Sequence, residues 1–203
     1  MEQGTLFIFS APSGGGKTSL VNALVKKLSH LQISISHTTR SPRSGEGHGK
    51  NYFFVDEKTF SNYQQQGMFL EYAKVFNHWY GTSKEWVIDQ LKAGIDVILE
   101  IDWQGARLIK AQMPAVGIFI IPPSREVLQE RLQARKQDSI EIIATRMAQA
   151  SQEISHYGEY EYLVVNDVFD QALADLEALI KAERLKTQRQ QQRYQEVLKT
   201  LIK

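Results

Sequence analysis

The sequence predicts an α/β fold, in which a parallel β-sheet is flanked by helices. Short, almost continuously apolar segments recur along the chain, as in strands that are buried on both faces of a sheet. Segments with helical periodicity lie between them, which is the alternation typical of α/β proteins. No period of about 20–50 residues repeats, so a solenoid or a propeller is not expected.

The core elements follow from the apolar pattern. The clearest helix is Lys17–Leu28, because its apolar side chains fall on one stripe at helical spacing. The other apolar segments are short enough to be strands rather than buried helices. We predict four buried strands, Thr5–Ser10, Asp96–Ile101, Gly117–Ile121 and Tyr162–Val165, and a weaker one at Ile33–Ser36.

One region that interrupts the alternation is rich in aromatic residues. Its short apolar segments are separated by turns, which indicates strands joined by tight connections. These segments cover residues 51–56, 68–76 and 79–81. We therefore predict a small β-rich insertion at about residues 37–84.

Two further regions lie outside the core pattern. After Pro122-Pro123, polar helices over residues 124–135 and 139–156 indicate an arm rather than a part of the core. From Lys181 onward the chain is Gln-rich and mildly basic, and we interpret it as a solvated helix.

Length and composition exclude several classes of protein and site. The 203 residues fit one domain with additions, and the absence of cysteine excludes disulfide scaffolds, thiolate zinc sites and cysteine nucleophiles. With 24 Lys+Arg against 23 Asp+Glu, the chain lacks the strongly basic balance of a nucleic-acid-binding domain. No apolar run approaches the roughly 18–20 residues of a membrane span, and the N-terminus does not resemble a signal peptide. We expect a cytoplasmic protein with neither a nucleic-acid nor a membrane partner.

The strongest chemical signal is the segment APSGGGKT, which lies between a predicted strand and a predicted helix. Backbone N–H groups of such a loop can surround a phosphate, and the helix N-terminus adds its dipole. Lys17 can reach the β- and γ-phosphates, and the Thr18 hydroxyl can bind Mg²⁺. Ala11 replaces the first glycine of the P-loop pattern, which is tolerable if its φ is negative. The predicted ATP- or GTP-binding residues are Ala11, Pro12, Ser13, Gly14, Gly15, Gly16, Lys17 and Thr18. Switches, motors and small kinases share this loop, so it leaves the reaction open.

A second cluster suits a phosphate acceptor. Arg40 and Arg43 lie three residues apart among hydroxyl-bearing residues, with Tyr52 nearby, and arginine forks match a dianionic phosphate. Such a pair can also be merely solvated. Glu71 favours the binding interpretation, because a buried carboxylate can accept two N–H bonds from a guanine edge.

The predicted arm carries three arginines. Arg131 and Arg135 are four residues apart on one helical face, and Arg146 follows on the next helix. Taken alone, they could pair with glutamates of the same helices or bind phosphates.

These segments together resemble the guanylate kinase family, specifically the bacterial enzymes of nucleotide metabolism. The motifs are APSGGGKT, SHTTRSPRSGEGHGKNYFFV, FLEYAKVFNHWYGTS, VILEIDWQGA, ERLQARKQDS with IATRM, and VVND, spread over about residues 4–184. The resemblance implies a P-loop NTPase-type parallel sheet and the reaction ATP + GMP ⇌ ADP + GDP with Mg²⁺, which supplies purine nucleotides. It also implies a core (4–36, 85–123 and 157–184), a GMP-binding insertion (37–84), a helical lid (124–156) and a tail (185–203).

The resemblance also implies individual roles. The GMP phosphate would be bound by Ser36, Arg40, Arg43, Tyr52 and Tyr80, and the guanine by Glu71, Thr82 and Asp102 with Gly81 beside them. Asn166 would lie beside the adenine of ATP, and Thr18 with Glu100 would hold the metal. Catalysis would depend on charge stabilisation by Lys17, Arg131, Arg135 and Arg146. Lys136 departs from the glycine that we expect after Arg135.

Two alternatives remain at this point. Guanylate-kinase-like domains of scaffold proteins bind phosphopeptides and transfer no phosphate, and related kinases act on other nucleoside monophosphates. The intact loop and the lid arginines argue against the first, and Glu71 with Asp102 against the second. We also expect dGMP to be a substrate, and the apolar VLKTLI near the C-terminus could pack against a second copy of the chain.

Overall fold

The computed structural model of the protein describes residues 3–75, 77–134 and 140–202. Within them, strands and helices alternate in the order expected of an α/β protein. The strands are β1 (Leu6–Ser10), β2 (Leu31–Ile33), β3 (His37–Thr38), β4 (Phe53–Phe54), β5 (Phe69–Val75), β6 (His78–Ser83), β7 (Asp96–Glu100), β8 (Val116–Ile121) and β9 (Tyr162–Val165). The helices are α1 (Lys17–Lys27), α2 (Glu57–Gln65), α3 (Lys84–Lys92), α4 (Trp103–Lys110), α5 (Arg125–Gln133), α6 (Ile140–Ile154), α7 (Phe169–Arg184), α8 (Thr187–Arg193) and α9 (Gln195–Leu201).

A parallel five-stranded sheet forms the core, in the order β2-β7-β1-β8-β9. Its central strand β1 alternates side chains between two hydrophobic clusters, as the pleat of a strand requires. Phe7 and Phe9 pack toward α1 and α7, whereas Leu6 and Ile8 pack toward α3 and α4. This arrangement confirms the predicted parallel sheet flanked by helices. The weaker predicted strand begins earlier than expected, at Leu31.

A second sheet lies between His37 and Ser83, in the order β4-β3-β6-β5. Its long hairpin of β5 and β6 is antiparallel, and the buried ring of Phe60 from α2 packs near Phe69 and Trp79. The strand predicted at residues 51–56 is shorter in the structure and covers only Phe53–Phe54. Residues 47–51 form a turn instead, in which the Asn51 backbone N–H donates a hydrogen bond to the Gly47 oxygen. The limits 37–84 of an insertion remain a prediction.

Helices α5 and α6 form the arm after β8. They pack on each other through a small cluster of their own, made by Leu128, Leu132, Met147 and Ala150. The cluster is separate from the two that cover the sheet, which fits the prediction of an arm. Arg135, predicted at the end of the first arm helix, and Lys136, predicted in the turn after it, lie outside the described part of the chain.

The prediction of one solvated C-terminal helix is wrong. Helix α7 ends at Arg184, and two short helices follow. Lys186 is extended, and this break lets the Arg189 side chain reach the buried carboxylate of Asp96 at 2.6 Å. A buried charge needs such a partner, and the pattern of the tail alone could not reveal one that lies 93 residues away.

Candidate active site

The P-loop follows β1 and closes tightly before α1. Gly15 donates its backbone N–H to the Pro12 oxygen at 2.8 Å. Gly14 and Gly16 have φ values of 89° and 88°, a region that favours glycine. Among the non-glycine residues described, only His30 and Asn77 have positive φ, so Ala11 meets the condition under which it fits the loop.

Asn166, which follows β9, braces this loop. Its side-chain amide donates to the Gly15 oxygen at 2.9 Å and lies so close to Gly16 that a Cβ there would be 2.2 Å from it. The Asn166 backbone oxygen in turn accepts a bond of 2.9 Å from Nη2 of Arg131. Nη1 of Arg131 is buried without a hydrogen-bond partner among the described residues. The structure therefore brings the loop, Asn166 and Arg131 together and leaves a buried cationic donor beside them.

Thr18 and Glu100 meet at the other side of the loop. The Thr18 hydroxyl donates to Oε2 of Glu100 at 2.9 Å, which joins the start of α1 to the end of β7. Hydroxyl and carboxylate oxygens are ligands that suit Mg²⁺, which takes few protein ligands and completes its shell with phosphates and water. Within the described ranges, no group of three or more acidic or histidine residues could hold a metal by itself. The pair therefore fits a metal that arrives with a nucleotide.

A cleft of about 670 Å³ runs from the P-loop to the second sheet. Lys17, Thr18 and Glu100 line one end of it. The side chains predicted to bind the GMP phosphate line the other end, namely Ser36, Arg40, Arg43, Tyr52 and Tyr80. The donor and acceptor halves of the predicted site thus share one open space.

The arginine end of the cleft contains a residue that the sequence analysis missed. Glu46 accepts hydrogen bonds from Nη2 of Arg40 at 2.8 and 2.9 Å and from the Arg43 backbone N–H at 2.8 Å. The Arg40 guanidinium lies over the rings of Tyr52 and Phe54. Its hydrogen bond holds the pKa of the Glu46 carboxyl below the usual range. The carboxylate in SPRSGEG was the available signal.

The three residues predicted to recognise guanine also cluster. The buried Glu71 accepts a 2.6 Å hydrogen bond from the Thr82 hydroxyl. Asp102 caps α4 by accepting the Gly105 N–H at 2.9 Å, and a Cβ on Gly105 would lie 3.2 Å from Oε2 of Glu71. Burial raises the pKa of Glu71 to about 7, the nearby Asp102 charge adds to this, and the Thr82 bond opposes it.

Gly81 has a packing role in the structure. A Cβ on it would lie 2.9 Å from the Phe69 ring, so a larger residue would displace that ring beside the base cluster. No contact with a ligand is needed to explain the glycine.

Two other arginines were predicted to act from the lid. Arg146 is half-buried on α6, and Arg135 lies outside the described residues.

Helix α6 also carries Glu153, which the sequence did not reveal as a site residue. Burial raises the pKa of its carboxyl, and the Asp102 charge also raises it, while Lys17 and a hydrogen bond from the Ser13 backbone lower it. Its Oε2 is buried without a described hydrogen-bond partner. A carboxyl group of the arm therefore lies against the P-loop.

Comparison with known proteins identifies this arrangement. The family model described as guanylate kinase matches residues 3–183. The chain belongs to the guanylate kinase family. It is 53% identical to a guanylate kinase of Photobacterium profundum and 54% identical to one of Escherichia coli K12, each over 100% of this chain and 99% of the relative. A crystal structure of guanylate kinase from Anaplasma phagocytophilum superposes with a TM-score of 0.77 at 33% identity, covering 93% of this chain and 90% of that one.

The family resemblance carried by the motifs is thereby confirmed, as is the expectation of an enzyme of the guanylate kinase type. The parallel sheet flanked by helices is the fold of the Anaplasma guanylate kinase. Throughout residues 3–75, 77–134 and 140–202, no helix is both long and apolar enough to cross a membrane.

Proposed function

We propose that the protein transfers the γ-phosphoryl group of ATP to GMP and so acts as a guanylate kinase. The observation that carries this proposal is the single cleft that joins Lys17 and Thr18 to the Arg40–Arg43 loop. A phosphoryl donor and a phosphate acceptor bound at its two ends would face each other. Phosphoryl transfer requires mainly such positioning together with charge stabilisation.

The P-loop is the proposed donor site. Its backbone N–H groups and Lys17 would bind the phosphates of ATP, with Asn166 holding the loop closed through Gly15. Thr18 and Glu100 would hold Mg²⁺, which would supply positive charge to offset that of the ATP phosphates. Nη1 of Arg131, which has no hydrogen-bond partner in the described part of the chain, would stabilise charge on the transferred group.

The second sheet is the proposed acceptor site. Arg40 and Arg43 would bind the GMP phosphate, with Ser36, Tyr52 and Tyr80 adding neutral donors. Glu71, once ionised, would accept two N–H bonds from guanine, and Thr82 and Asp102 would orient it. Adenine lacks that pair of donors, so this arrangement favours GMP over AMP. We also propose that dGMP is accepted, because none of these residues is assigned to the 2′-hydroxyl.

The two additions to the core are proposed to close over the ligands. Helices α5 and α6 have their own small core, which suits movement as a unit. Closure only when both ligands are bound would keep water away from ATP until GMP is present and so limit ATP hydrolysis. X-ray scattering should show compaction with GMP plus a non-hydrolysable ATP analogue, and an unchanged profile would contradict closure. A cytoplasmic location is proposed from the absence of cysteine.

A coupled assay with ATP and GMP tests the function. The wild-type protein should form GDP in the presence of Mg²⁺, and Lys17→Ala should lose at least about 10²–10³-fold in rate. Arg131→Lys should lose about 10³-fold if the guanidinium acts on the transferred phosphoryl group. AMP, UMP and dGMP in place of GMP test the alternative of another monophosphate kinase. A wild-type protein as silent as Lys17→Ala would favour the non-catalytic alternative.

A further inference from the structure

The loop that carries the two phosphate-binding arginines is organised around one carboxylate. Both carboxylate oxygens of Glu46 accept hydrogen bonds from Nη2 of Arg40, at 2.8 and 2.9 Å. Its Oε2 also accepts a hydrogen bond of 2.8 Å from the Arg43 backbone N–H. The Glu46 backbone N–H returns a 3.0 Å bond to the Arg43 oxygen. The carboxylate therefore fixes a side chain at one end of the loop and the backbone in its middle.

Arg40 is restrained from its other sides as well. Its Nη1 donates to the Ser41 oxygen at 2.8 Å, and its carbon Cζ lies 5.4 Å from the centre of the Tyr52 ring. The side chains of Arg40 and Glu46 are only 11% and 19% exposed, although both line the cleft. A charge-assisted contact this sheltered from water is stronger than one on an open surface.

We propose that Glu46 is a positioning residue for the phosphate of GMP. It sets the Arg40 guanidinium and the Arg43 backbone before the substrate arrives, so that binding does not have to order the Arg40 side chain and the loop. The inference rests on the proposed function, because it concerns the acceptor half of the same cleft. Its effect is confined to ligands that carry a phosphate.

A different role for the same carboxylate makes the opposite prediction. If Glu46 merely occupied the place of the phosphate, GMP would have to displace it, and its removal would strengthen GMP binding. The bond to the Arg43 backbone favours positioning, since that contact shapes the loop rather than neutralising a side chain. The sign of the change in affinity separates the two roles.

The test compares calorimetric binding of GMP and guanosine to the wild-type protein and to Glu46→Gln. A glutamine keeps the size of the side chain but loses the charge and one acceptor. We expect the dissociation constant for GMP to rise by about 10- to 100-fold, the loss typical of a hydrogen bond to a charged group. That for guanosine should stay unchanged, and kcat at saturating GMP should stay within about threefold.

Matched variants complete the experiment. Glu57→Gln removes an exposed carboxylate from α2 and should bind GMP as the wild type does. Glu46→Asp keeps the charge and should recover part of the affinity. In an Arg40→Lys background, Glu46→Gln should cost less than in the wild type, because part of its effect acts through the Arg40 guanidinium.

Several outcomes would overturn the proposal. They are tighter GMP binding by Glu46→Gln, unchanged GMP binding, or an equal loss for GMP and guanosine, which would indicate a general structural role. If Glu46→Gln does not fold, Glu46→Asp carries the same comparison. A wild-type protein that bound neither ligand would remove the proposed function itself, whereas wild-type binding with an unaffected variant removes only the role of Glu46.

Discussion

The side-chain amide of Asn166 donates a 2.9 Å hydrogen bond to the backbone oxygen of Gly15 and so joins the end of β9 to the P-loop. The backbone oxygen of Asn166 accepts a hydrogen bond from Nη2 of Arg131, which belongs to α5. One buried residue thus contacts both the phosphate-binding loop and the arm. Its position suggests that the geometry of the loop depends on a strand at the far edge of the sheet.

Replacement of Asn166 by alanine tests this dependence. The Gly15 oxygen would lose its buried partner, at a cost of about 1–3 kcal/mol, so the dissociation constant for ATP should rise roughly tenfold. Binding of tripolyphosphate should weaken by the same factor, because the loop itself is affected. If Asn166 acts only beside adenine, as the family resemblance implies, tripolyphosphate binding will not change. Asn62→Ala, at an exposed position of α2, is the control.

The raised pKa of Glu71 predicts a stability change with pH. Its value of about 7 in the folded protein exceeds the ordinary 4.5, so the folded state binds more protons between these pH values. The stability of the unliganded protein should therefore fall as pH rises from about 4.5 to 7, by up to about 3 kcal/mol from this group. Glu71→Gln should unfold at higher denaturant concentration than the wild type at pH 8 and show little difference near pH 4.5. Equal stability at pH 8 would contradict the assignment.

The same carboxyl predicts a pH dependence of base recognition. Guanine N–H groups need the ionised form of Glu71, which is a minor species well below pH 7. Guanosine, which has no titrating phosphate, should therefore bind about tenfold more weakly at pH 6 than at pH 8. Calorimetry at the two pH values measures this difference. Glu71→Gln should bind weakly at both and discriminate less between GMP and AMP.

Glu153 places a carboxylate of the arm against the P-loop, where ATP phosphates are proposed to bind. The Lys17 charge and a hydrogen bond from the Ser13 backbone both act on this carboxyl and lower its pKa, against the effect of burial. Removing a negative charge near the phosphates should strengthen ATP binding about fivefold, which corresponds to the roughly 1 kcal/mol of repulsion between two charges about 4 Å apart in water. Equilibrium titration of Glu153→Gln with ATP measures the change. Glu130→Gln, which alters an exposed position of α5, should leave ATP binding unchanged, and weaker binding by Glu153→Gln would contradict the idea.

The elements that the sequence predicts well are those whose signal is local. The strands of the parallel sheet are continuous apolar runs, and the P-loop is a contiguous pattern between two elements. The P-loop pattern indicated Thr18 as a metal ligand, whereas the family resemblance supplied its partner Glu100. Knowledge of the family placed Glu71, Thr82 and Asp102 in one cluster, which composition and spacing could not do.

The features that the sequence did not reveal depend on contacts between distant or chemically ordinary residues. Glu46 is one acidic residue in a polar loop, and only the folded loop shows that it binds two arginines. Glu153 has the pattern of a solvated helix position, yet its Oε2 is buried in the folded protein. The break after α7 lets Arg189 reach a core carboxylate, a contact between residues far apart in the sequence.

That carboxylate, Asp96, gives the last prediction. Fully buried at the start of β7, it accepts hydrogen bonds from the Thr5 backbone at 2.7 Å, from Arg184 at 2.7 Å and from Arg189 at 2.6 Å. Asp96→Asn would leave two arginines without their buried counter-charge, so unfolding in urea should show a loss of about 3–5 kcal/mol. Asp175→Asn, at an exposed position of α7, should cost far less.

A double-mutant cycle shows whether Asp96 holds the tail. Arg189→Gln should destabilise the wild type more than it destabilises Asp96→Asn, because the two residues share one contact. Additive losses would mean that Arg189 is held by other groups. Neither Asp96 nor Arg189 lines the cleft, so each variant should keep its kcat at temperatures where it remains folded. A loss of kcat in a folded Arg189→Gln protein would instead connect the tail to catalysis.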